Sequence, residues 1–186
     1  MNIFIIGDNG LFGGVLTKFF KKKKIKFIRN SSNRYGGYND FTKLHKVNFL
    51  LDKIKPDIII NLAALTNVDL CEKDKRKANK LNYKIPHNLN NWIKKNKKTY
   101  LIHFSTDQVY SRKGPHKENQ VKIINNYART KLKGEKAINL KNSIIFRTNF
   151  FGLSNSKKYS FTDWIFRSAL KKENLIFFKN IKFSPL

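Results

Sequence analysis

Cysteine is nearly absent from this 186-residue chain, Cys71 being the only one. An internal disulfide is therefore excluded, and a reducing compartment is the default. Acidic residues are also scarce, with 12 Asp and Glu against 39 Lys and Arg and a formal net charge of +27. No apolar run approaches the roughly 20 residues of a membrane span. The opening Met1-Asn2-Ile3-Phe4-Ile5-Ile6-Gly7 has no basic leader, and its apolar run is too short for a secretory signal. The expectation is a cytoplasmic protein with no membrane partner. Repeats and low-complexity linkers are missing too, so no boundary divides the chain, and 40% hydrophobic content suits one globular domain.

The basic excess is spread through every segment, beside abundant Asn, Ile and Phe. Its densest run, Lys21 to Lys24, falls where a helix should end, a favourable place for cations. No nucleic-acid-binding motif accompanies the charge, so a specific nucleic-acid partner is not expected.

What is present is an alternation of apolar strands and amphipathic helices. Asn2–Ile6 is a continuous apolar run, as in a strand buried on both faces of a parallel sheet. It leads into Gly7-Asp8-Asn9-Gly10-Leu11-Phe12-Gly13 and then a helical stretch from Val15 to Phe20. In that pattern Gly7 permits the tight turn, Gly10 lets a pyrophosphate approach the helix N-terminus, and Gly13 lets helix and sheet pack closely. A strand at Ile25 to Ile28 follows, with Arg29, Asn30, Ser31, Ser32, Asn33 and Arg34 after it. That run contains no acid for a ribose 2′-OH, and two arginines are available to a 2′-phosphate. It points to NADP(H), with NAD(H) as the alternative.

A helix over Val47–Ile54 stopped by Pro56, a strand over Asp57–Leu62 and an amphipathic helical stretch within Cys71–Lys98, dented at Pro86, come next. Trp92 reads as core, and His103, inside the strand Tyr100–Phe104, as a buried hydrogen-bonded residue. That strand delivers Ser105-Thr106-Asp107 to the edge where ligands bind in open parallel sheets. A helix over Tyr127–Ile138 places Tyr127 and Lys131 one turn apart on one face. An ammonium there is expected to pull the tyrosine pKa down from about 10 toward neutrality, fitting it for proton transfer. A strand at Ser143–Arg147, a helix marked by Phe161, Trp164, Ile165 and Leu170, and a strand at Leu175–Phe178 complete the pattern. The fold class is α/β, a Rossmann-like doubly wound parallel sheet with helices on both faces.

Four motifs occur in order. They are Gly7-x-x-Gly10-x-x-Gly13, Asn61-Leu62-Ala63-Ala64-Leu65-Thr66-Asn67-Val68-Asp69, Ser105-Thr106-Asp107-Gln108-Val109-Tyr110, and Tyr127-Ala-Arg-Thr-Lys131-Leu-Lys-Gly134-Glu135. Together with Phe146-Arg147-Thr148 they resemble the extended short-chain dehydrogenase/reductases, and within them the dTDP-4-dehydrorhamnose reductases. The resemblance implies reduction of the 4-keto group of dTDP-4-dehydro-rhamnose to dTDP-rhamnose for cell-surface polysaccharide. It further implies that Thr106 polarises the keto oxygen, Tyr127 donates its proton, and Lys131 holds the nicotinamide ribose and lowers the tyrosine pKa. Gly7, Gly10, Leu11, Phe12 and Gly13 would line the pyrophosphate, Arg29 would meet a 2′-phosphate, Asp40 and Phe41 the adenine side, and Ala63 and Ala64 the central cofactor.

The chain departs from that family at Leu65, at Phe150 (usually a substrate-stacking tryptophan), at Asn180-Ile181 and at Leu186. Family members continue beyond Leu186. The expectation is a dinucleotide-binding domain over 1–186, with a substrate lobe that begins near 150 and is largely missing. Gln108 stands where 4,6-dehydratases carry a second acid, which favours a reductase or a nucleotide-sugar epimerase. A non-catalytic NADP-binding regulatory module is the other alternative, and a homodimer stays open.

The charge alone leads to one expectation. Heparin binding should be detectable at low salt and disappear at physiological ionic strength; a sequence-preferring nucleic-acid interaction that survived there would contradict this reading.

Overall fold

The structure is a computed structural model, and it describes residues 1–31, 39–111, 114–154 and 160–177. The expectations placed on Ser32, Asn33, Arg34, Phe178, Asn180, Ile181 and Leu186 lie outside those residues.

Five parallel strands form one sheet in the order β2-β1-β3-β4-β5. They are β1 (Ile3–Ile6), β2 (Phe27–Arg29), β3 (Ile58–Asn61), β4 (Tyr100–Thr106) and β5 (Ser143–Thr148). Side chains on a strand alternate between faces, and this sheet sorts them accordingly. Ile3, Ile5 and Ile60 pack with Leu16 and Phe20 of helix α1 (Leu11–Lys22). Phe4, Ile6, Ile59 and Leu101 pack on the other side with helices α2 (Leu44–Ile54) and α5 (Ile85–Lys95). The doubly wound arrangement expected from the sequence is therefore present. Strand order reverses around β1 and β3, and the loops after their carboxyl ends converge there.

Several boundaries move for local reasons. Strand β2 starts at Phe27 rather than Ile25 because Ile25 closes the preceding helix. Its amide donates to Phe20 O at 2.9 Å while Lys24 takes a left-handed conformation, φ 55°. The strand expected at Leu175–Phe178 is not formed over Leu175–Phe177. Among the described residues its apolar side chains find no neighbouring strand, and Ile176 is 95% exposed. An isolated extended segment has no ladder to satisfy its backbone.

The helical stretch after β3 is broken into α3 (Val68–Lys73), α4 (Lys75–Asn79), a π-helical turn (Lys80–Lys84) and α5. The dent expected at Pro86 is this π turn. Proline has no N–H, so it cannot donate to the carbonyl four residues back, that of Asn82, and the turn widens. Helix α6 (Asn126–Lys136) lies directly against the widened turn. A Cβ on Gly134 would collide with Asn82 O and stand 3.0 Å from Pro86 Cγ. Gly134→Ala is therefore expected to destabilise the protein by about 1–3 kcal/mol in urea unfolding, as an overpacked helix contact. An unchanged midpoint would show that α6 can move away freely.

Candidate active site

The glycine loop occupies the turn from β1 into α1. Gly7 has φ +86°, and a Cβ there would fall 2.6 Å from Ala63 N. A Cβ on Gly13 would run into Gly7 O and lie 2.7 Å from Asp8 Cα. Both positions thus exclude a side chain, which brings the backbones of β1, α1 and the β3 loop into contact. Helix α1 has no side-chain N-cap and no acid in its first turn. Its N-terminal amides face a cleft of about 410 Å³ lined by Gly7, Gly10, Leu11, Phe12, Gly13, Ala64, Thr106, Tyr127 and Lys131, among others. Uncapped amides and a helix dipole suit an anionic group. The side-chain-free cradle therefore fits a dinucleotide pyrophosphate.

Thr106 ends β4 and Tyr127 opens α6 on the far side of the same cleft. Asn125 caps α6, its side chain accepting from Ala128 N at 2.7 Å, and this fixes where the helix begins. Tyr127 and Thr106 both line the cleft. The Thr106 hydroxyl oxygen accepts from Gln108 N at 3.2 Å. Lys131 is 2% exposed, and its Nζ donates to Phe104 O at 2.6 Å.

The expected lowering of the tyrosine pKa is not found. Burial raises the Tyr127 pKa, the Thr106 hydroxyl lowers it in part, and Asp107 and Cys71 push it up again. Lys131 is not among the causes: burial lowers it to about 8, below the raised tyrosine, so it has lost its charge before Tyr127 ionises. The charge of Glu135 opposes that lowering. Tyr127 is thus held as a phenol and Lys131 as an ammonium on the edge of titration.

Around this trio is a polar scaffold: Ser105, Tyr110, Glu135 and Arg147 stand in the sequence motifs without an assigned role, and Asn82 stands in none. Asn82, projecting from the π turn, accepts from Leu65 N at 2.8 Å and donates to Leu65 O at 3.1 Å and Thr130 Oγ1 at 3.0 Å. One side chain therefore ties the loop after β3 to α6. Glu135, one turn beyond Lys131, accepts from the Ser105 hydroxyl and from Arg147, whose Nη2 lies 2.6 Å from Oε2. Arg147 donates further to Tyr110 OH at 2.6 Å. The available signal for Glu135 was its spacing of four from Lys131. Asn82 had none, because only the proline-induced turn aims it inward. His103 is buried as expected, its Nδ1 3.0 Å from Asn61 Nδ2, and burial keeps it neutral.

The remaining expected residues lie elsewhere. Ala63 presents its backbone to Gly7 but does not line the cleft. Phe41 is buried in the core against Phe4, ring centroids 5.9 Å apart. The Asp40 carboxylate is turned onto Thr42, accepting from its amide at 3.0 Å and its hydroxyl at 2.6 Å. Arg29 is exposed at the end of β2. Phe150 lies flat on Phe12, centroids 4.4 Å apart, at one wall of the cleft. Among the described residues no group of His, Cys, Asp or Glu is placed to hold a metal ion, and no helix is long and apolar enough to cross a membrane.

Comparison with known proteins extends over nearly the whole chain. Residues 1–182 match the family described as RmlD substrate binding domain. A dTDP-4-dehydrorhamnose reductase of Shigella flexneri is 31% identical over 94% of this chain and 59% of its own length. A probable low-salt glycan biosynthesis reductase, Agl14, of Haloferax volcanii is 27% identical over 100% of this chain and 66% of its own length. The crystal structure of a dTDP-4-dehydrorhamnose reductase from Clostridium acetobutylicum superposes with a TM-score of 0.78 at 30% identity, covering 92% of this chain and 60% of that one. The chain thus spans about three-fifths to two-thirds of the length of these relatives.

The buried lysine makes a pH prediction. Between the folded value of about 8 and the ordinary 10.5, the unfolded chain holds a proton on Lys131 that the folded one has released. Stability then rises with pH across that window, because the cost of a buried charge is relieved. Wild type should gain stability relative to Lys131→Met as pH is raised through it, in urea titrations at stepped pH. Parallel curves for the two proteins would contradict the buried charge.

Proposed function

Because the chain belongs to the RmlD substrate-binding domain family, we propose that it is the dinucleotide-binding and proton-transfer part of an NAD(P)H-dependent 4-ketoreductase of nucleotide-sugars. dTDP-4-dehydro-rhamnose, reduced to dTDP-rhamnose for polysaccharide biosynthesis, is the proposed substrate. The observation that carries this reading is the meeting of Thr106, Tyr127 and Lys131 with the glycine loop around one cleft. Residues from about 150 onward, including helix α7 (Phe161–Leu170), are proposed as the beginning of the substrate lobe.

The bound cofactor supplies the hydride; the protein supplies position and a proton. Thr106, at the end of β4, is placed to donate a hydrogen bond to the keto oxygen. Tyr127, kept in its phenol form by burial, gives the proton that completes the alcohol. Lys131, protonated below about 8, returns positive charge to the site as the phenolate forms. Rate should therefore fall as pH rises through the lysine's titration.

A second reading, a dinucleotide-binding module without catalysis, is favoured by one feature. Phe12 and Phe150 are stacked at the cleft wall, where a substrate ring would otherwise find a partner. Incubation with NADPH or NADH and dTDP-4-dehydro-rhamnose distinguishes the two. Oxidation of the cofactor is expected, and Tyr127→Phe should slow it by about 10²–10⁴-fold while the folded variant still binds cofactor. Tight cofactor binding with no turnover of the sugar nucleotide would select the second reading.

A further inference from the structure

The cleft wall beside Thr106 carries a side chain that the proton-transfer step leaves unused. Gln108, two residues beyond Thr106, lines the same cleft and is half-buried. Its backbone amide donates to the Thr106 hydroxyl oxygen at 3.2 Å, which anchors it beside the group placed to meet the keto oxygen. No Asp or Glu stands among the described residues that line the cleft. Asp107, between Thr106 and Gln108, is occupied elsewhere, its Oδ2 accepting from Asn149 Nδ2 at 3.3 Å.

The cap of α6 decides which end of the Gln108 amide is available. Asn125 Oδ1 is taken by Ala128 N at 2.7 Å. The other end of Asn125 is therefore Nδ2, a donor only, and it lies 3.3 Å from the Gln108 amide. A donor there needs an acceptor, so the Gln108 atom turned toward Asn125 is Oε1. That leaves Nε2 as the polar end open to the cleft. Among the described residues no hydrogen bond satisfies its two N–H groups.

A half-buried amide with two open donors calls for an oxygen on the ligand. A carboxamide does not titrate, so it reads the substrate without moving a proton. Thr106 and Tyr127 already serve the keto oxygen, and an amide set beside Thr106 is placed for the oxygen on the adjoining ring carbon. We propose that Gln108 is a specificity-determining residue: its Nε2 donates to the hydroxyl oxygen next to the ketone, selecting α-hydroxyketone sugars over their deoxy counterparts. This role rests on the ketoreductase reading of the cleft. Asn125 is the positioning residue, because one side chain caps the helix that carries Tyr127 and orients the amide that reads the substrate. Water can partly replace a missing oxygen at a half-buried amide, so the discrimination is moderate rather than the very large rejection of a closed site.

The test compares dTDP-4-dehydro-rhamnose with its 3-deoxy analogue, following oxidation of the reduced cofactor. Wild type should favour the hydroxylated substrate by about 10–100-fold in kcat/KM. Gln108→Leu, close in size but without donors, should lose that preference by slowing the hydroxylated substrate while the 3-deoxy analogue stays within a few-fold. Asn125→Asp keeps a helix cap but cannot donate to Oε1, and it should reduce the preference in the same direction. A merely structural role would slow both substrates equally and weaken cofactor binding. That result, or a preference that Gln108→Leu leaves unchanged, overturns the proposal. If the variants do not fold, the pair of substrates on wild type alone decides it, and equal turnover of the two overturns it. Turnover of neither sugar by wild type would instead overturn the ketoreductase reading, and this inference with it.

Discussion

A lysine ammonium and a glutamate carboxylate are buried one turn apart on α6, and holding that pair inside the protein is the constraint on which the site depends. Each charge is tolerated in the interior only with dedicated partners. Lys131 has the carbonyl of Phe104, and Glu135 has Arg147 and the Ser105 hydroxyl. Both sets of contacts run from α6 to strands β4 and β5. The helix that carries Tyr127 is thereby registered against the strand that carries Thr106, and a slip of one turn would leave both charges unpaired.

The second fastening is made on the neighbouring face of α6, about 100° round from the first. Pro86 interrupts helical bonding, the resulting turn projects Asn82, and Asn82 grips both Leu65 and Thr130. Gly134 permits the two backbones to approach closely enough for that grip. The loop after β3, which contributes Ala64 and Thr66 to the cleft, is held by the same side chain. Cofactor side and proton-transfer side are consequently parts of one polar framework.

The two faces of the sheet are finished differently. Helices α2 and α5 cover one face with a continuous core. On the other, α1 covers β1 and β3 but leaves the β4–β5 end open, where Phe146 is 40% exposed and joins Phe104, Phe150 and Phe151 in an apolar groove. Helix α7 presents Phe161, Trp164 and Phe166 largely to solvent, although a capping box by Ser160 and Asp163 defines its start. Its amphipathic pattern was readable as a helix; what its apolar face packs against was not.

Local chemistry written in the sequence determined the element order, the parallel sheet, the glycine turn and the placement of Thr106, Tyr127 and Lys131, because apolar periodicity, glycine and proline act over a few residues. Tertiary structure alone decided the electrostatics. The spacing of Tyr127 and Lys131 suggested that one charge would tune the other, yet burial raised the tyrosine and lowered the lysine past it. Likewise the stretch from Arg29 to Ser31 contains no acid, while Asp8 arrives beside Ser31 from a neighbouring strand end. Desolvation and long-range contact depend on what the fold brings around a group, and no spacing along the chain records that.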